Sequence, residues 1–474
     1  MPFKGAPVVT HSAEHLAPHG DVAVAVLAAG YGTRMKSQLP KHVMPVGGVP
    51  IVERVIRAGL AIEPAALVVV VSPILADLPH RLGMHGAFDT AVQETPEGTA
   101  AAVRCALDAL PDVAWIVSLL GDSPLLTGET VGQLVDGAHQ THARVTILTC
   151  IVEDAAGYGR IVRNADGNVQ RIVELKNDDP ALRHGPTEVN SGIMVLDAPW
   201  AREALAKVQR SPLAKEFLLT DILDVAIAET DGHETWPVQA VIAESDVAVG
   251  INTRSQQHDA DAIVRRNMRE RVQNAGVTLI GAETIFLDET VAIGEDTTIL
   301  PHSVITGATT IGRDCVIGPG AVLHNATIGD GAEVRSSTIH DSRVESNATV
   351  GPYAHIRGNS NIGARAHIGT STELKNTSIG EDAKVGHFGY LGDATIGSRT
   401  NIGAGTITAN YNGTQKFPTS IGEDVFIGSD TVLIAPVTIA HGAKTGAGAV
   451  VNRDVAEGQT VVGVPAKPIP RTTS

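Results

Sequence analysis

A short Gly-rich segment with two nearby cations is the first place where residue types and spacing could do chemistry. The segment consists of Leu27, Ala28, Ala29 and Gly30, and the cations are Arg34 and Lys41. Small residues let a backbone approach a phosphate and turn its N–H groups toward it, while the cations add positive charge. The segment matches neither the Walker loop nor the G-x-G-x-x-G fingerprint. It predicts a phosphate-binding turn, and the alternative is a plain strand-to-helix turn with exposed cations.

A second set of polar residues lies in the last third of the sequence. It comprises Arg357, Glu373, Lys375, His387, Tyr390, Asn401, Asn410 and Tyr411. The series Arg357, Lys375, Tyr390 and Asn410 is spaced at about eighteen residues, which would stack these side chains on neighbouring coils of a repeating fold. Such stacking would assemble a polar groove. Histidine has an ordinary pKa near ~6.5, so His387 could act there as a general base, whereas a surface histidine without a role is the alternative.

The elements that must position the first set alternate between strands and helices. Short β-branched runs occur from residue 21 to about 254, separated by amphipathic helical stretches. The runs are VAVAVL, ALVVVV, WIVSLL and VTILTCIV. This alternation is typical of a mostly parallel sheet that is covered on both faces. We therefore expect a Rossmann-like α/β domain over residues 21–254.

The elements that must position the second set are repeats of six residues. Aliphatic residues recur at every sixth position from Ile293 to Leu323, from Val350 to Leu374 and from Ile421 to Ile439. Between these runs the interval slips to five. A period of six suits neither a helix nor an alternating strand, but it is typical of hexapeptide repeats, three of which form one triangular coil. We expect a left-handed parallel β-helix over residues 276–474, in which glycine after the aliphatic residue lets the chain turn each corner.

Three segments interrupt or flank these domains. Residues 403–420 break the period of six and should leave the coil as a loop, where function often resides. Residues 255–275 are polar and predict a helical linker, with the last helix of the first domain as the alternative. Residues 1–20 have neither a basic nor an apolar region of a signal peptide, so we expect a loosely packed extension.

Composition and charge exclude several classes of partner. The 49 glycines and 3% aromatic residues indicate a Gly-rich, β-branched architecture. A net charge of -16 argues against nucleic acid and against an anionic membrane. No apolar run reaches the ~20 residues of a membrane span. The three cysteines are far apart and suggest neither disulfides nor zinc, so reduced thiols in the cytoplasm are expected.

Motifs of the first domain resemble those of sugar-nucleotide pyrophosphorylases. LAAGYGTRM with LPKH is similar to their signature, and further matches follow in the expected order. They are Gln93, Gly98, Thr99, Gly121, Asp122, Gly159, Glu174, Asn190 and Asn252. Joined to a hexapeptide-repeat half, the matches resemble the bifunctional GlmU family. That family acetylates glucosamine-1-phosphate and then uridylylates the product, a step that serves cell wall and lipopolysaccharide synthesis.

For the first domain the resemblance implies a uridylyltransferase site. N-acetylglucosamine-1-phosphate would attack the α-phosphorus of UTP and pyrophosphate would leave, so charge must be neutralised without a covalent nucleophile. Asp122 and Asn252 would hold Mg²⁺ through hard oxygen ligands, and Arg34 and Lys41 would stabilise the phosphates. The nucleotide would lie against Leu27 to Gly30, Gln93, Gly98 and Thr99, and the sugar against Gly159, Glu174 and Asn190. Gly121 and Asp122 would also belong to the substrate-binding residues of this site. Capping and turn roles are the alternatives for several of these residues.

For the second domain the resemblance implies an acetyltransferase site. His387 would remove a proton from the substrate ammonium, which has no lone pair to attack the thioester of acetyl-CoA, and Glu373 would orient the His387 ring. Arg357 and Lys375 would bind the sugar phosphate, Tyr390 and Asn401 the sugar, and Ala404, Asn410, Tyr411, Ser429 and Ala447 the acetyl-CoA. The arginine that the family places near the last coil is missing, and Arg453 and Lys467 are the candidates to replace it.

The resemblance also implies a homotrimer in which the loop around Tyr411 completes a neighbour's site. Two other functions remain open at this point. One is a single-activity pyrophosphorylase whose β-helix only assembles or regulates. The other is a non-catalytic scaffold that has kept both folds.

Overall fold

The computed structural model describes residues 19–155, 157–173, 185–212, 214–229 and 236–469. The chain divides into two compact units, with the boundary between Val264 and Arg265. All but two residues of the extension predicted over residues 1–20 lie outside the described part. Among the described residues, none of the helices combines the length and apolarity that crossing a membrane requires.

The first unit alternates strands and helices. Its strands are β1 Val22–Ala28, β2 Pro45–Val46, β3 Val49–Pro50, β4 Ala66–Val71, β5 Asp89–Val92, β6 Trp115–Leu120, β7 Val145–Val152, β8 Arg160–Arg163, β9 Val169–Val173, β10 Thr187–Asp197 and β11 Val238–Ala243. Its helices are α1 Ile51–Leu60, α2 Leu78–Leu82, α3 Thr99–Ala109, α4 Gly128–Thr141, α5 Ala198–Ala204 and α6 Ile222–Ala228, and α7 Arg254–Asn274 follows.

The main sheet of this unit has the strand order β11-β7-β10-β6-β1-β4-β5. The pairs β1–β4, β1–β6, β4–β5 and β7–β11 are parallel, whereas β10 runs antiparallel to both of its neighbours. The prediction of a mostly parallel α/β sheet is therefore confirmed. The order changes direction at β1, between β4 and β6, and ligands of such sheets bind at the carboxyl ends of the strands at this point.

Strand β1 shows why both faces of the sheet are covered. Its side chains alternate, so Val22 and Val24 join a core cluster with residues of α1 and α4. Ala23 and Ala25 join a second cluster with residues of α3, α5 and α6. All four are fully buried, which is why the run VAVAVL has no polar position.

Helix α7 coincides with the segment predicted as a helical linker. Its buried residues Ala260, Val264, Met268 and Val272 recur every four positions. Val264 belongs to a small cluster of the first unit, and Met268 and Val272 belong to the core of the second. This spacing gives an otherwise polar helix one apolar stripe.

The second unit is a β-helix of very short parallel strands. They are β12 Thr278–Leu279, β13 Phe286–Leu287, β14 Ala292–Ile293, β15 Thr298–Ile299, β16 Val304–Thr306, β17 Thr310–Ile311, β18 Val316–Ile317, β19 Val322–His324, β20 Thr327–Ile328, β21 Glu333–Val334, β22 Thr338–His340, β23 Arg343–Val344, β24 Thr349–Val350, β25 His355–Arg357, β26 Asn361–Ile362, β27 His367–Lys375, β28 Ser378–Ile379, β29 Lys384–Gly392, β30 Ala394–Ile396, β31 Asn401–Ile402, β32 Ile407–Ala409, β33 Thr419–Ile421, β34 Phe426–Ile427, β35 Val432–Ile434, β36 Val437–Ile439, β37 Lys444–Thr445, β38 Val450–Val451, β39 Thr460–Val462 and β40 Lys467–Pro468.

The aliphatic residues of the period of six stack inside the coil. Ile305 is in register with Leu323, and Leu323 with Ile339, and all three are fully buried. One continuous core cluster runs through the unit. The predicted left-handed parallel β-helix is confirmed.

Glycine after the aliphatic residue has two roles in this coil. Gly318 and Gly351 have φ angles of 99° and 106°, as the predicted turn role requires, but other glycines have a role that was not predicted. Gly363 and Gly380, which follow aliphatic residues, do not have positive φ angles. A Cβ atom at Gly363 would lie 2.7 Å from the backbone nitrogen of Glu381, and one at Gly380 would lie 2.5 Å from that of Ser398. These glycines permit close stacking of successive coils. Polar residues such as Asn325 and Asp341 adopt the left-handed conformation at corners instead.

The predicted loop over residues 403–420 is shorter than expected. Residues Ile407–Ala409 form β32 inside the coil, with Thr408 buried at the position where an aliphatic residue was expected. The Thr408 hydroxyl accepts a hydrogen bond from the Gly392 N–H at 2.7 Å and donates one to the Gly392 carbonyl at 3.1 Å. Because these bonds satisfy the hydroxyl, the coil continues to Ala409, and only the segment from Asn410 to Pro418 leaves it.

Candidate active sites in the two domains

The side chains of Asp122 and Asn252 converge on one cationic group in the first unit. The ammonium of Lys41 donates to Asp122 Oδ2 at 2.5 Å and to Asn252 Oδ1 at 3.0 Å. It also donates to the backbone carbonyl of Ile251 at 3.3 Å. Carboxylate and amide oxygens are ligands that Mg²⁺ accepts, so this pair of oxygens fits the predicted metal role.

The backbone explains why residues so far apart in the sequence meet. Asp122 follows β6, and its carbonyl accepts a hydrogen bond from the Ile251 N–H at 2.9 Å. This bond fixes the segment that carries Asn252 against the carboxyl end of β6. Lys41 comes close because Gly32, with a φ of 60°, has no side chain; a Cβ there would lie 2.9 Å from Lys41 Cβ.

The Gly-rich segment lies at the predicted edge of the sheet. Leu27, Ala28 and Ala29 are buried, whereas Gly30 is exposed. Gly121 sits against this segment: its N–H donates to the Leu27 carbonyl at 2.9 Å, and a Cβ would lie 2.8 Å from the same oxygen. The carboxyl ends of β1 and β6 therefore form one surface.

The side chain of Arg34 is exposed on a short 3-10 turn at Thr33–Met35. It makes no hydrogen bond or ion pair with any residue that the structure describes. A cation that is near the Gly-rich segment and has no partner of this kind is available for a phosphate.

Residues predicted to hold the nucleotide follow β5 and begin α3. The Gln93 N–H donates to the Val71 carbonyl at 2.8 Å, which places Gln93 just beyond the sheet. Gly98 precedes α3 with a φ of 107°. The Thr99 hydroxyl accepts from the Leu219 N–H at 2.9 Å, so Thr99 also has a structural role that the sequence did not predict.

Two of the three residues predicted to hold the sugar lie together. The Asn190 N–H donates to the Gly159 carbonyl at 2.8 Å, and Asn190 Oδ1 accepts from the Gly192 N–H at 3.0 Å. Both residues belong to the segments around β8 and β10. The third residue, Glu174, lies outside the described residues.

His42 was not singled out in the sequence, although it adjoins Lys41. Its side chain is buried, and Nδ1 has no hydrogen-bond partner among the described residues. Burial, followed by the charge of Lys41, lowers the pKa of His42 to about 4. The imidazole is therefore neutral near pH 7 and adds no second positive charge beside Lys41.

His387 lies in a column of residues along one corner of the β-helix, which consists of Thr370, His387, Ala404, Ser429 and Ala447. The registers of Val385 with Ile402 and of Tyr390 with Ile407 have the same offset, which brings His387 next to Ala404 on the following coil. His387 is in register with Thr370. Above it, the Ala404 carbonyl accepts from the Asp430 N–H at 2.7 Å, and the Ser429 carbonyl accepts from the Gly448 N–H at 2.8 Å. His387 is exposed, not packed inside the coil, and it shares its corner with three residues predicted to bind acetyl-CoA.

Three cations meet on neighbouring coils of the β-helix, and one of them was not predicted. Arg357 is in register with Lys375 on the next coil. Lys416, from the loop, lies against Lys375, and its hydrogen bond and charge, followed by the charge of Arg357, lower the pKa of Lys375. Clustered cations of this kind suit a phosphate group. In the sequence, only the position of Lys416 in the loop that interrupts the period of six could have indicated that it belongs to this site.

The contacts of Glu373 in the structure do not support its predicted role in orienting the His387 ring. Glu373 Oε1 instead accepts from Arg357 Nη2 at 2.5 Å. No hydrogen bond joins Glu373 and His387 in the part of the chain that the structure describes. Glu373 therefore orients the guanidinium of Arg357.

The predicted stack of Lys375, Tyr390 and Asn410 also needs correction. Lys375 is in register with Gly392, whereas Tyr390 is in register with Glu373. The missing side chain at Gly392 leaves space that Tyr390 and Asn410 use, because a Cβ there would lie 2.4 Å from Tyr390 Oη and 2.8 Å from Asn410 Nδ2. Tyr390 and Asn410 thus still reach the column of Arg357 and Lys375.

The remaining predicted residues are divided between the loop and another column. Asn410 is buried, and its Nδ2 donates to Asp393 Oδ2 at 2.6 Å, which anchors the loop. Tyr411 is exposed, and its hydroxyl donates to the Gly413 carbonyl at 2.5 Å. Asn401 is in register with Lys384 and not with Tyr390.

Each of the two units contains a match to a known protein family. Residues 24–158 match the family described as the MobA-like NTP transferase domain. Residues 290–325 and 418–453 match the family described as the bacterial transferase hexapeptide, with six repeats. The first match lies within the α/β unit and the second within the β-helix.

Relatives that carry both units are similar over nearly the whole chain. The bifunctional protein GlmU of Corynebacterium efficiens is 41% identical over 449 residues, which cover 93% of this chain and 91% of the relative. That of Exiguobacterium sp. is 39% identical, covering 91% and 94%. That of Mycobacterium tuberculosis is 38% identical, covering 94% and 90%.

Proposed function

The chain belongs to the bifunctional GlmU family and makes UDP-N-acetylglucosamine in two reactions, and we propose that the two sites described above divide these reactions between them. Acetyl-CoA first acetylates glucosamine-1-phosphate in the β-helix. UTP then uridylylates N-acetylglucosamine-1-phosphate in the α/β domain, and pyrophosphate is released.

In the α/β domain, Asp122 and Asn252 would hold Mg²⁺. The support is that their oxygens already converge on the Lys41 ammonium, at 2.5 and 3.0 Å. When bound, Mg²⁺ supplies positive charge to the triphosphate. Arg34 and Lys41 would bind phosphate oxygens and stabilise the charge that develops as the sugar phosphate oxygen attacks and pyrophosphate leaves.

The nucleotide and the sugar would occupy neighbouring parts of the same sheet edge. We assign the nucleotide to the Gly-rich segment together with Gln93, Gly98 and Thr99. We assign the sugar to Gly159, Asn190 and Glu174. A backbone hydrogen bond of 2.8 Å joins Gly159 and Asn190.

In the β-helix, His387 would accept the proton of the substrate ammonium. The free amine then attacks the thioester carbonyl of acetyl-CoA, the C–S bond breaks, and the CoA thiol leaves. Arg357, Lys375 and Lys416 would bind the sugar phosphate. The exposed corner column with Ala404, Ser429 and Ala447 would guide the coenzyme to the imidazole, and this column is the observation that carries the proposal.

We also propose a cytoplasmic homotrimer. Large apolar side chains such as Phe388, Phe426 and Ile407 are exposed on the β-helix, and a symmetric assembly would cover such groups. Asn401 and Tyr390 lie in different columns, and a sugar site built from two subunits would let both of them contribute. The loop with Tyr411 would then complete a neighbour's site.

Two assays on the full chain test the division. CoA release is followed with glucosamine-1-phosphate and acetyl-CoA, and pyrophosphate release with UTP, Mg²⁺ and N-acetylglucosamine-1-phosphate. We expect turnover in both. Pyrophosphate release without CoA release, in trimeric protein, would favour the single-activity alternative in which the β-helix only assembles or regulates.

A further inference from the structure

A group of side chains at the opposite end of β1 from the Gly-rich segment has the composition of a transition-metal site. His19, Asp21 and His139 each offer one ligand atom, and these atoms lie within 4.8 Å of one another. His19 and Asp21 precede β1, and His139 lies in the last turn of α4. None of the three has a role in the proposed uridylyl transfer.

The side chain of His19 is buried, and its ring lies beside that of His139. His19 is only 6% exposed, and its ring makes no hydrogen bond with any residue that the structure describes. The carboxylate paired with it, that of Asp136, lies 4.0 Å from His19 Nε2, and the ring of His139 is centred 5.5 Å away. Within this cluster the buried atom without a hydrogen-bond partner among the described residues is His139 Nε2, and an ion bound there would satisfy it.

His139 and Asp21 have the spacing of two ligands on one metal. Nε2 of His139 is buried and makes no hydrogen bond in the described structure, although it lies 3.2 Å from Asp21 Oδ2. Two ligand atoms at ~2.1 Å from a tetrahedral ion stand about 3.4 Å apart. The observed separation is close to that value.

The electrostatics of the site also favour a cation. His139 lies near the carboxyl end of α4, where the helix dipole is negative, and Asp21 and Asp136 add carboxylates. Two imidazoles with a carboxylate suit Zn²⁺ better than Mg²⁺ or Ca²⁺, which prefer oxygen ligands.

We propose that His19, Asp21 and His139 bind a divalent transition-metal ion of the Zn²⁺ class. The ion joins the start of β1 to the end of α4. It is a structural clip, separate from the Mg²⁺ role of Asp122 and Asn252.

A second group of possible ligands, Glu423, Asp424 and His441, does not support the same inference. All three residues are exposed. Arg399 Nη2 already donates to both carboxylates at 2.8 Å, so their charge has a protein partner.

Metal titration of the full chain tests the proposal. Metal-free protein is titrated with Zn²⁺ by calorimetry, and the double variant His19→Gln/His139→Gln is compared with the control His80→Gln/His85→Gln. The control removes another imidazole pair of the same unit, with ring centroids 5.6 Å apart. We expect wild type and control to bind one more equivalent of Zn²⁺ than the His19/His139 variant. The substitution Asp21→Asn should lower the affinity for this additional Zn²⁺ ion at least about 10-fold.

Trp115 provides a second readout, because its ring centroid lies 5.9 Å from that of His139. Paramagnetic Co²⁺ should quench tryptophan fluorescence in wild type and control but not in the His19/His139 variant. Unchanged far-UV circular dichroism and pyrophosphate release show that the variants fold. Equal Zn²⁺ stoichiometry and equal quenching in folded wild type and His19/His139 variant would overturn the proposal.

Discussion

Lys41 and Asp122, which are 81 positions apart in the sequence, form a salt bridge of 2.5 Å at the carboxyl edge of the main sheet. Their side chains are only 9% and 18% exposed. The same ammonium binds Asn252, so one group fixes the orientation of both proposed metal ligands. This arrangement keeps two oxygen ligands together on segments that follow different strands.

Substitution Asp122→Asn should abolish uridylyl transfer selectively. The shape of the side chain is kept, but its charge is lost, so we expect pyrophosphate release to fall by roughly 100-fold or more, as for loss of a group that stabilises the transition state. CoA release by the same protein serves as the control and should be unchanged. A variant with the wild-type rate of pyrophosphate release would show that Asp122 is not a metal ligand.

Acid should destabilise the first unit through His42. Its pKa is about 4 in the folded chain, below the ordinary value of 6.5, so the unfolded chain binds more protons between these values. Stability is therefore full above pH 6.5 and falls as the pH drops toward 4, by about 3 kcal/mol. The substitution His42→Leu should remove this contribution to the loss of folding free energy at low pH.

Urea denaturation at pH 7 and at pH 4, followed by tryptophan fluorescence, measures the effect. All three tryptophans, Trp115, Trp200 and Trp236, lie in the first unit and report on it alone. Equal acid sensitivity in wild type and His42→Leu would exclude His42 as the cause.

Lys416 should contribute to binding of the sugar phosphate. Substitution Lys416→Met removes a cation that lies against Lys375 and allows the lowered pKa of Lys375 to rise again. A hydrogen bond to a charged group contributes about 1.5–3 kcal/mol, so the KM for glucosamine-1-phosphate should increase roughly tenfold or more, with a smaller change in kcat. Steady-state CoA release measures both constants. Gln415→Met, on the same loop, is the control, and an equal KM in the two variants would contradict the assignment.

The substitution Gly392→Ala should impair acetyl transfer in the β-helix and leave uridylyl transfer in the α/β domain unchanged. A Cβ at this position would lie 2.4 Å from Tyr390 Oη and 2.8 Å from Asn410 Nδ2, so both side chains must move. We expect a higher KM for both substrates of CoA release, and an unchanged rate of pyrophosphate release. Wild-type constants in the acetyl transfer assay would show that neither displaced side chain binds substrate.

The sequence allowed the fold to be predicted because each domain has one dominant period. Strands alternating with helices required a parallel sheet, and aliphatic residues at every sixth position required stacked coils. The pattern could not reveal that Thr408 continues the coil. A buried threonine is tolerated there only because the backbone of Gly392 satisfies its hydroxyl.

Contacts between coils were harder to predict than the coils themselves. The expected stack of Lys375 and Tyr390 assumed a repeat of eighteen residues. A five-residue segment before Ile379 shortens that coil, so Tyr390 stands over Glu373 and Gly392 over Lys375. The bond between Glu373 and Arg357 crosses a coil of regular length, in which Glu373 is in register with His355 and Arg357 with Lys375, so no irregularity of spacing marked it. In the first domain, ordered motifs predicted the convergence of Asp122 and Asn252, but no pattern marked His42.

CoA release by His387→Asn is the most direct measurement of the central claim, that one chain carries two separate chemistries. Removal of a general base should lower the rate of acetyl transfer by about 100-fold or more, and pyrophosphate release should stay at the wild-type rate. Acetyl transfer at the wild-type rate, or loss of both activities in folded protein, would contradict the account.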